Sequence, residues 1–415
     1  MSLGFGSYRI SNKSEEHKDA LVHALDEGLD FIDTSANYTD GQSELLIGEV
    51  LKDRTDKPFI MTKAGYIQGS NQEVINQLNE VGLAKDGLIK VNESLWHSIN
   101  PDFLRNQVDL SLNRLGVDSI DCFLLHNPEY YFHDENATQE EYYNRIKEAF
   151  LELEALVEEG KIKSYGISSN NFVLALDDPK VTNFKRVIEK AEEIENHHFE
   201  WIQFPFNLIE IGALEKYYDG FSLLELAKEK GIKTAINRPL NAFSNGNLIR
   251  LAHYDPFLIF MDKSEGEELF KKCVTLMDEK ILESGEKDET FLDLPLAQQF
   301  EGLYHNLPTE DAVEQVYMGH FFPMVARIWG GDLTPEASIP FYDLFDYSTN
   351  RARQRMTAVA KDFEAQAINS GLITSGEDSL QERVISKYLE YGFDRILVGM
   401  KRKIYVDQMK KFFHG

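Results

Sequence analysis

The sequence predicts an α/β fold, a closed (β/α)8 TIM barrel with a mainly helical insertion in the loop after its seventh strand. Short apolar segments alternate with helical patterns over the first 240 residues, which is typical of parallel strands joined by helices. A further strand and helix follow near residue 395. The intervening residues have apolar positions at helical spacing and no strand pattern, so they predict a helical insertion.

The predicted strands are short and apolar, and each is followed by polar residues or a turn. Because the carboxyl ends of parallel barrel strands share one mouth, polar residues at these ends are candidates for catalysis. In chain order the predicted strands cover 3–6, 29–33, 59–63, 119–126, 164–169, 201–204, 232–240 and 395–399.

Capping residues mark the boundaries of the predicted helices. Ser14 begins one helix that Gly28 ends, and Pro101 begins another that Gly116 ends. We therefore expect a barrel over 1–243 and 376–415 and an insertion over 244–375. The predicted helices outside the insertion cover 14–27, 41–51, 101–115, 140–159, 183–196, 223–230, 379–390 and 404–413.

Two long segments interrupt the regular alternation. The insertion leaves the barrel at the face where (β/α)8 proteins build their active sites. We expect it either to cover the site as a lid or to form an outer packing or oligomer surface, and the residues favour neither. The connection 66–100 has a length that is often functional, and we expect it to supply part of the pocket wall.

Composition restricts the classes of partner. The chain carries a net charge of −27 and two cysteines. The acidic excess disfavours nucleic-acid partners and anionic membrane surfaces, and two cysteines provide no disulfide framework. The sequence shows no signal-peptide pattern and no apolar run of about 18 residues. We expect a cytoplasmic protein that acts on a small molecule, and its oligomeric state stays open.

Four ionisable side chains form the candidate catalytic set. Asp33, Lys63 and His126 end apolar strands, and Tyr38 follows Asp33 by five residues. A phenol has an ordinary pKa of about 10, which a neighbouring ammonium is expected to lower. A carboxylate can hold that ammonium in place, and an imidazole can bind a carbonyl oxygen. Such a set can protonate an oxygen that gains charge, as hydride addition to a carbonyl requires.

These residues lie in motifs that resemble those of the aldo-keto reductase family, in the family's order over 3–241 and again over 394–413. The resemblance implies a barrel that binds a nicotinamide cofactor without a Rossmann motif. It implies that Tyr38 donates the proton, that Asp33 and Lys63 tune it, and that His126 orients the carbonyl. The motifs are Gly28-x-x-Phe31-Ile32-Asp33-Thr34-Ser35-x-x-Tyr38, Ser43-Glu44-x-x-Ile47-Gly48, Lys63, Ser111-Leu112-x-Arg114-Leu115-Gly116-x-Asp118-x-Ile120-Asp121-x-x-x-Leu125-His126, Gly160-Lys161-Ile162-x-x-x-Gly166-Ile167-Ser168, Gln203-x-Pro205-x-Asn207 and Pro239-Leu240.

The resemblance also implies the residues that hold the nicotinamide end of the cofactor. Ser168, Ser169 and Gln203 correspond to ligands of the carboxamide. The family often has Asn directly after the first Ser, so Asn170 competes with Ser169 for this role. Asn237 stands where the family has an aromatic residue that stacks on the nicotinamide. The other expected cofactor residues are Gly6, Ser7 and Tyr8 through their backbone, Arg238 at the pyrophosphate, and Leu240.

A basic run near the C-terminus suggests the adenosine end. Lys401, Arg402 and Lys403 begin a predicted helix, where cations oppose the helix dipole. A bound anion would account for them, and a solvated charge cluster is the alternative. In the family this position meets the adenosine 2′-phosphate, so the resemblance implies NADP(H), with NAD(H) left open. Asp407 corresponds to an acidic residue that contacts the adenine, and Met409 replaces the usual Asn.

We hypothesise an NADP-dependent oxidoreductase that interconverts an aldehyde, ketone or sugar with its oxidised or reduced partner. The alternative from another class is a non-enzymatic regulatory subunit that binds nicotinamide as a redox sensor. A metal-dependent barrel hydrolase is disfavoured, because His126 and Glu129 have the spacing of a ligand pair but no third ligand follows. We therefore expect no metal.

Overall fold

The computed structural model describes residues 2–73, 75, 87–244, 247–254, 262–283, 295–331 and 333–414. Contacts divide the chain into two compact units, Met1–Asn245 with Glu382–Gly415, and Gly246–Gln381. Eight parallel strands of the first unit close into a barrel. The predicted (β/α)8 fold is therefore confirmed.

The barrel strands follow one another around the barrel in chain order, and the first strand closes against the last. All eight strands point the same way, so their carboxyl ends share one mouth. We number them β1 Ser2–Gly6, β2 Phe31–Asp33, β3 Phe59–Ala64, β4 Cys122–His126, β5 Tyr165–Ser168, β6 Phe199–Pro205, β7 Lys233–Asn237 and β8 Arg395–Val398.

The capping signals in the sequence set the ends of the surrounding helices. The Ser14 hydroxyl accepts a hydrogen bond from the backbone of His17 at one helix start. Gly116 ends another helix in the left-handed conformation, with φ 63°, which glycine adopts without steric strain. The helices of this unit are Glu15–Asp26, Gln42–Leu51, Pro101–Leu115, Gln139–Glu158, Phe184–Glu192, Leu223–Glu229, Leu380–Tyr391 and Lys403–Met409.

Apolar side chains from alternate strand positions fill the barrel interior. A Cβ atom at Gly166 would lie 2.0 Å from the carbonyl oxygen of Trp201, so only glycine permits the close approach of β5 and β6 there. Burying this apolar surface supplies the main driving force for closing the barrel. The interior cluster comprises Phe31, Met61, Cys122, Leu124, Trp201, Ala235 and Leu397.

The connection 66–100 contains a small antiparallel sheet that the sequence does not predict. Its strands are Tyr66–Ile67, Ile89–Lys90 and Trp96–His97, and the last pairs with both others. The sheet begins two residues after β3, beside the mouth of the barrel. Part of the expected pocket wall, residues 74 and 76–86, lies outside the described residues.

The second unit is mainly helical, as expected for the insertion. Its core contains the buried side chains of Cys273, Met277, Val313, Tyr317 and Phe321. None of the helices that the structure describes is long and apolar enough to cross a membrane. Two short strands were not expected: Asn241–Ser244, which belongs to the first unit, and Asn247–Arg250, which belongs to the second. The helices are Lys263–Glu283, Pro295–Leu303, Glu310–Val316, a π-turn Tyr317–Phe321, Phe322–Trp329 and Pro335–Asn369.

Candidate active site

The barrel brings the four predicted catalytic side chains to its C-terminal mouth. Asp33 and His126 are the last residues of β2 and β4, and Lys63 is the last but one of β3. Tyr38 begins a short helical turn that follows β2. Adjacent parallel strands therefore position an acid, an ammonium and an imidazole side by side, and the turn adds the phenol.

Lys63 connects the acid to the phenol. Its ammonium lies 2.9 Å from the Asp33 carboxylate and 3.1 Å from the Tyr38 hydroxyl. It also donates a hydrogen bond to the carbonyl oxygen of Thr34 at 2.6 Å. The Lys63 side chain is fully buried. Three oxygen partners therefore replace the water that this ammonium would have in solution.

Burial and pairing act in opposite directions on the Asp33–Lys63 pair. Burial raises the pKa of the Asp33 carboxyl, and the charge and hydrogen bond of Lys63 oppose that shift. Burial lowers the pKa of Lys63, and Asp33 opposes that shift in turn. Each charge therefore opposes the neutralisation of the other, so the pair titrates as one unit.

The pKa of Tyr38 differs from the sequence-based expectation. Loss of hydration, followed by the Asp33 charge and by Tyr8, raises the pKa of the phenol well above its ordinary value of 10. We expected Lys63 to lower this pKa. That expectation was wrong, because Asp33 neutralises the ammonium and because removing a phenolate from water is unfavourable. In the free protein the phenol therefore holds its proton.

His126 lies next to Tyr38 with a neutral ring. Burial, and then the Lys63 charge, lower the pKa of His126 well below its ordinary value. Its Nδ1 lies 3.0 Å from the hydroxyl oxygen of Ser35. The ring meets the Tyr38 ring edge-on, with centroids 6.0 Å apart, and the Tyr66 ring with centroids 4.7 Å apart. The imidazole is thus held on three sides.

The sequence reasoning missed three residues that support this site. Ser35 bonds to the imidazole, Tyr66 packs on it, and Nε2 of His97 lies 2.7 Å from the carbonyl oxygen of His126. Ser35 was visible as part of the motif that contains Asp33. Tyr66 and His97 lie in the small antiparallel sheet, and no periodic pattern marked them.

Gln203 joins the predicted carboxamide ligands to the acid. Its side-chain nitrogen donates a hydrogen bond to Asp33 at 2.7 Å. Its side-chain oxygen accepts one from the Ser168 hydroxyl at 3.0 Å and one from the Asn237 amide at 3.4 Å. The side-chain oxygen of Asn237 is buried and has no hydrogen-bond partner among the described residues. This oxygen can accept a hydrogen bond from a ligand.

The structure separates Ser169 from Asn170. The Ser169 side chain is fully buried, and its hydroxyl lies 2.9 Å from that of Thr182 and accepts a hydrogen bond from the backbone of Asn171 at 3.1 Å. Asn170 is half-buried, and within the described part of the chain its side-chain amide has no hydrogen-bond partner. Asn170 is therefore the better placed of the two to meet a ligand.

Glu129 is a buried carboxylate that the sequence reasoning considered only as a metal ligand. One of its oxygens accepts a hydrogen bond from the backbone N–H of Asn170 at 2.8 Å. Its other oxygen is buried and has no partner among the residues described. Burial raises the pKa of Glu129 to about 7, and hydrogen bonds from neighbouring groups oppose the shift. Glu129 therefore connects the loop after His126 to the loop after Ser168.

The first strand places its predicted residues beside the acid. Gly6 pairs with Asp33 across the barrel sheet, and the backbone N–H of Ser7 donates to the carbonyl oxygen of Asp33 at 3.0 Å. The exposed ring of Tyr8 meets the Tyr38 ring edge-on, with centroids 5.1 Å apart. The end of β1 thus forms one edge of the site.

Arg238 follows β7 in a left-handed backbone conformation, with φ 56°. Its guanidinium donates a hydrogen bond to the Glu210 carboxylate at 2.8 Å. Leu240, two residues later, is half-buried. Glu210 holds the arginine in place, and any anion that meets this guanidinium competes with that carboxylate.

The basic run near the C-terminus already contacts acidic residues. Arg402 lies 3.2 Å from Glu16, and Asp407 lies 3.0 Å from His23. Lys401 has no ion pair among the described residues. Arg402 and Asp407, two of the three residues predicted for the adenosine end, thus already pair with other side chains of the protein.

The family follows from a comparison with known sequences. The model of the Aldo/keto reductase family matches residues 2–241, a segment that contains all four catalytic candidates. The chain belongs to the aldo/keto reductase family. The matched segment ends before the basic run at 401–403, so the family assignment does not depend on the predicted phosphate contact.

The curated relatives of this aldo/keto reductase include proteins named as a dehydrogenase and a reductase. The chain is 30% identical over 177 residues to a D-threo-aldose 1-dehydrogenase of a Pseudomonas species, covering 40% of this chain and 50% of that protein. It is 26% identical over 152 residues to the NADH-specific methylglyoxal reductase of Escherichia coli strain K12, covering 36% and 40%. The chain spans about half the length of the curated relatives it matches.

Solved structures of aldo/keto reductases resemble the chain at low identity. A glycerol dehydrogenase from Gluconobacter oxydans is 18% identical, with a TM-score of 0.49, and covers 100% of this chain and 86% of that one. An aldo-keto reductase from Klebsiella pneumoniae, solved with NADPH, is 20% identical, with a TM-score of 0.36, and covers 58% and 64%.

Proposed function

We propose that this chain is a nicotinamide-dependent aldo-keto reductase that interconverts a carbonyl group of an aldehyde, ketone or sugar with the corresponding alcohol. The observation that carries the proposal is the hydrogen-bonded series Asp33, Lys63 and Tyr38, with distances of 2.9 Å and 3.1 Å. It ends in a phenol at the barrel mouth, with a neutral imidazole beside it. This is an arrangement for moving one proton to or from an oxygen.

Tyr38 is the proposed proton donor. Its raised pKa keeps the phenol protonated in the free protein. An alkoxide that forms from a carbonyl is a stronger base than a phenolate, so it takes the proton readily. The phenolate left behind lies 3.1 Å from the Lys63 ammonium, which stabilises its charge. In the oxidation direction the same phenolate removes the proton of the alcohol.

His126 is proposed to bind the carbonyl oxygen. Because its pKa lies far below the ordinary value, the ring is neutral and donates a hydrogen bond without adding charge. Nε2 has no hydrogen-bond partner in the part of the chain that is described, whereas Nδ1 faces Ser35. An Nε2–H group therefore suits an oxygen that gains negative charge beside Tyr38.

The residues at the ends of β5, β6 and β7 suit a nicotinamide carboxamide. The unpartnered oxygen of Asn237 can accept from its amide, and the Ser168 hydroxyl and the Asn170 side chain can bond to it. Gln203 joins this set to Asp33. When bound, the nicotinamide supplies or accepts the hydride at the carbonyl carbon.

NADP(H) is the proposed cofactor, with NAD(H) as a second one. Lys401 and Arg402 are the proposed ligands of the 2′-phosphate, and Asp407 and Arg238 are proposed to face the adenine and the pyrophosphate. Among the relatives, one is named as NADH-specific and another as an NADP(+) enzyme. Both cofactor preferences therefore occur among the relatives of this chain.

The test is to titrate the purified protein with NADPH and NADH by protein fluorescence, and then to follow NADPH oxidation with a panel of aldehydes, ketones and sugars. We expect saturable binding and turnover on at least one carbonyl. Binding without turnover on any carbonyl or alcohol would favour a regulatory nicotinamide-binding subunit, and failure to bind either nucleotide would contradict the proposal. No observation on the site favours the regulatory function at present.

A further inference from the structure

A row of ion pairs joins the first helix of the barrel to the C-terminal helix. Helix Glu15–Asp26 packs along helix Lys403–Met409. Charged residues lie three or four positions apart along the first helix and just beyond its end. They pair with charged residues of the second helix and its ends. We call this row the ion-pair ladder, and its members are Glu16 with Arg402, Asp19 with Lys403, His23 with Asp407, and Glu27 with Lys410.

The contacts in the ladder are short. Arg402 lies 3.2 Å from Glu16, and the Lys403 ammonium lies 2.9 Å from Asp19. Lys410 lies 3.1 Å from Glu27 and 3.2 Å from Asp407. All of these side chains are partly exposed, so the pairs can exchange with a ligand without unfolding the helices.

The ladder occupies most of the charges that the proposed function assigns to the adenosine end of the cofactor. Arg402 faces Glu16, and Asp407 is bonded to His23 and Lys410. The hydrogen bonds and charges of these two partners hold the pKa of Asp407 below its ordinary value. Lys401 alone in the basic run has no ion pair among the residues described. Local positive charge is therefore largely cancelled before any phosphate arrives.

We propose that Glu16 and Asp19 are specificity-determining residues that reduce the preference of this chain for NADP(H) over NAD(H). The proposal rests on the proposed function, since it takes the basic run as the 2′-phosphate site. A 2′-phosphate must displace these carboxylates from Arg402 and Lys403, or bind beside them and suffer repulsion. A 2′-hydroxyl carries no charge and meets neither penalty.

The size of the effect follows from the exposure of the pairs. Exposed ion pairs contribute between about 0.2 and 1 kcal/mol, which corresponds to about 1.4-fold to fivefold in affinity for each pair. Removing both carboxylates should therefore tighten NADPH binding by about twofold to 25-fold. Screening by salt will reduce the difference, because the whole cluster is near the surface.

A purely structural role for the ladder makes different predictions. If the pairs only hold the two helices together, neutralising Glu16 and Asp19 would lower the unfolding temperature and change the affinity for both nucleotides alike. A role in specificity changes the ratio of the two affinities. The ratio is therefore the deciding quantity, and the unfolding temperature is the check on the fold.

The experiment uses the full chain with Glu16→Gln, Asp19→Asn and the double variant. Glu15→Gln is the matched control, because Glu15 lies in the same helical turn, is exposed and has no ion pair among the described residues. Dissociation constants for NADPH and NADH are measured by fluorescence. Adenosine 2′,5′-bisphosphate and 5′-AMP are titrated as competitors, since they differ only at the 2′-phosphate.

We expect the double variant to bind NADPH and adenosine 2′,5′-bisphosphate about twofold to 25-fold more tightly than wild type, and to bind NADH and 5′-AMP as wild type does. The Glu15→Gln control should bind all four ligands as wild type does. An unchanged ratio of NADPH to NADH affinity would overturn the inference and leave the proposed function intact. A wild-type chain that binds neither nucleotide would overturn both.

Discussion

The hydroxyl oxygen of Ser35 lies 3.0 Å from Nδ1 of His126, and the same oxygen lies 2.7 Å from the side-chain oxygen of Asn37 and 3.0 Å from the carbonyl oxygen of Lys63. A serine hydroxyl has one hydrogen to donate. If it donates to Nδ1, the neutral ring carries its proton on Nε2 and can donate to a carbonyl oxygen. If it donates elsewhere, Nδ1 holds the proton and Nε2 becomes an acceptor.

Ser35→Ala should therefore impair carbonyl reduction through the tautomer of His126. We expect kcat to fall by about tenfold or more, because Nε2–H loses the partner that favours it. Cofactor affinity should not change. Nitrogen NMR of the imidazole reports the tautomer directly, and Ser164→Ala, which removes a buried hydroxyl near the other end of β5, is the control. An unaltered tautomer with full activity would contradict the assignment.

Asp33→Asn should destabilise the fold, because it leaves the fully buried Lys63 without its counter-charge. Removal of one partner from a buried ion pair lowers the free energy of unfolding by about 3–5 kcal/mol. Adding Lys63→Met to Asp33→Asn should restore part of that loss, since no unpaired charge remains. Urea unfolding measures both variants. Strictly additive losses would show that the two charges do not depend on each other.

An exposed pair supplies the control for this cycle. Lys185 and Asp219 form an ion pair on the surface of the same unit, with the Asp219 side chain 86% exposed. Asp219→Asn should change the free energy of unfolding by less than about 1 kcal/mol. A loss as large as that of Asp33→Asn would mean that charge removal in general, and not burial, sets the effect.

Glu129→Gln should change how stability depends on pH. Its pKa is raised from the ordinary 4.5 to about 7 in the folded protein, so the folded state holds the proton more tightly than the unfolded state. Ionisation therefore destabilises the fold progressively between these two pKa values, and the penalty is complete above pH 7 and absent below pH 4.5. This shift corresponds to about 3 kcal/mol.

The measurement compares the free energy of unfolding of wild type and Glu129→Gln near pH 5 and near pH 8. Relative to the wild type, the variant should be more stable at pH 8 than at pH 5 by about 2.5 kcal/mol. Glu158→Gln, at an exposed helix end, should gain nothing. A constant difference between wild type and Glu129→Gln at both pH values would show that this carboxyl does not titrate in the range.

Replacing Lys401 and Arg402 by Ala together should weaken NADPH more than NADH. Two lost contacts to a phosphate correspond to about tenfold or more in affinity, since charge-assisted hydrogen bonds are the stronger ones. The control is Lys163→Ala, which removes a cation that pairs with Asp121 and is 65% exposed. Equal losses for the two nucleotides would exclude a 2′-phosphate site at this run.

Much of the barrel could be predicted because its signals are local. Each strand is an apolar run with a polar end, so Asp33, Lys63 and His126 could be assigned to strand ends from the residues alone. Serine and glycine caps set helix limits within a few residues of those observed. The motif around Asp33 added Tyr38, whose position after the strand depends on a short turn.

The remaining features depend on tertiary contacts that no local pattern encodes. The strand Tyr66–Ile67 is two residues long and has no measurable period. Glu129 is of a residue type that is usually exposed to solvent, and its burial depends on the loop after β5. Glu16 and His23, which pair with Arg402 and Asp407, lie on the first helix, more than 370 residues earlier in the chain. The pKa of Tyr38 depends on burial, which a list of neighbours in sequence does not supply.

The most direct test of the account is the activity of Tyr38→Phe with saturating NADPH and the best carbonyl substrate of the panel. The variant keeps the ring and loses the proton, so turnover should fall by about two to four orders of magnitude, while NADPH binds as tightly as to wild type. Tyr391→Phe, at a phenol that packs on Phe206 and Phe393, should retain full turnover. Undiminished reduction by Tyr38→Phe would contradict the assignment of Tyr38 as the proton donor.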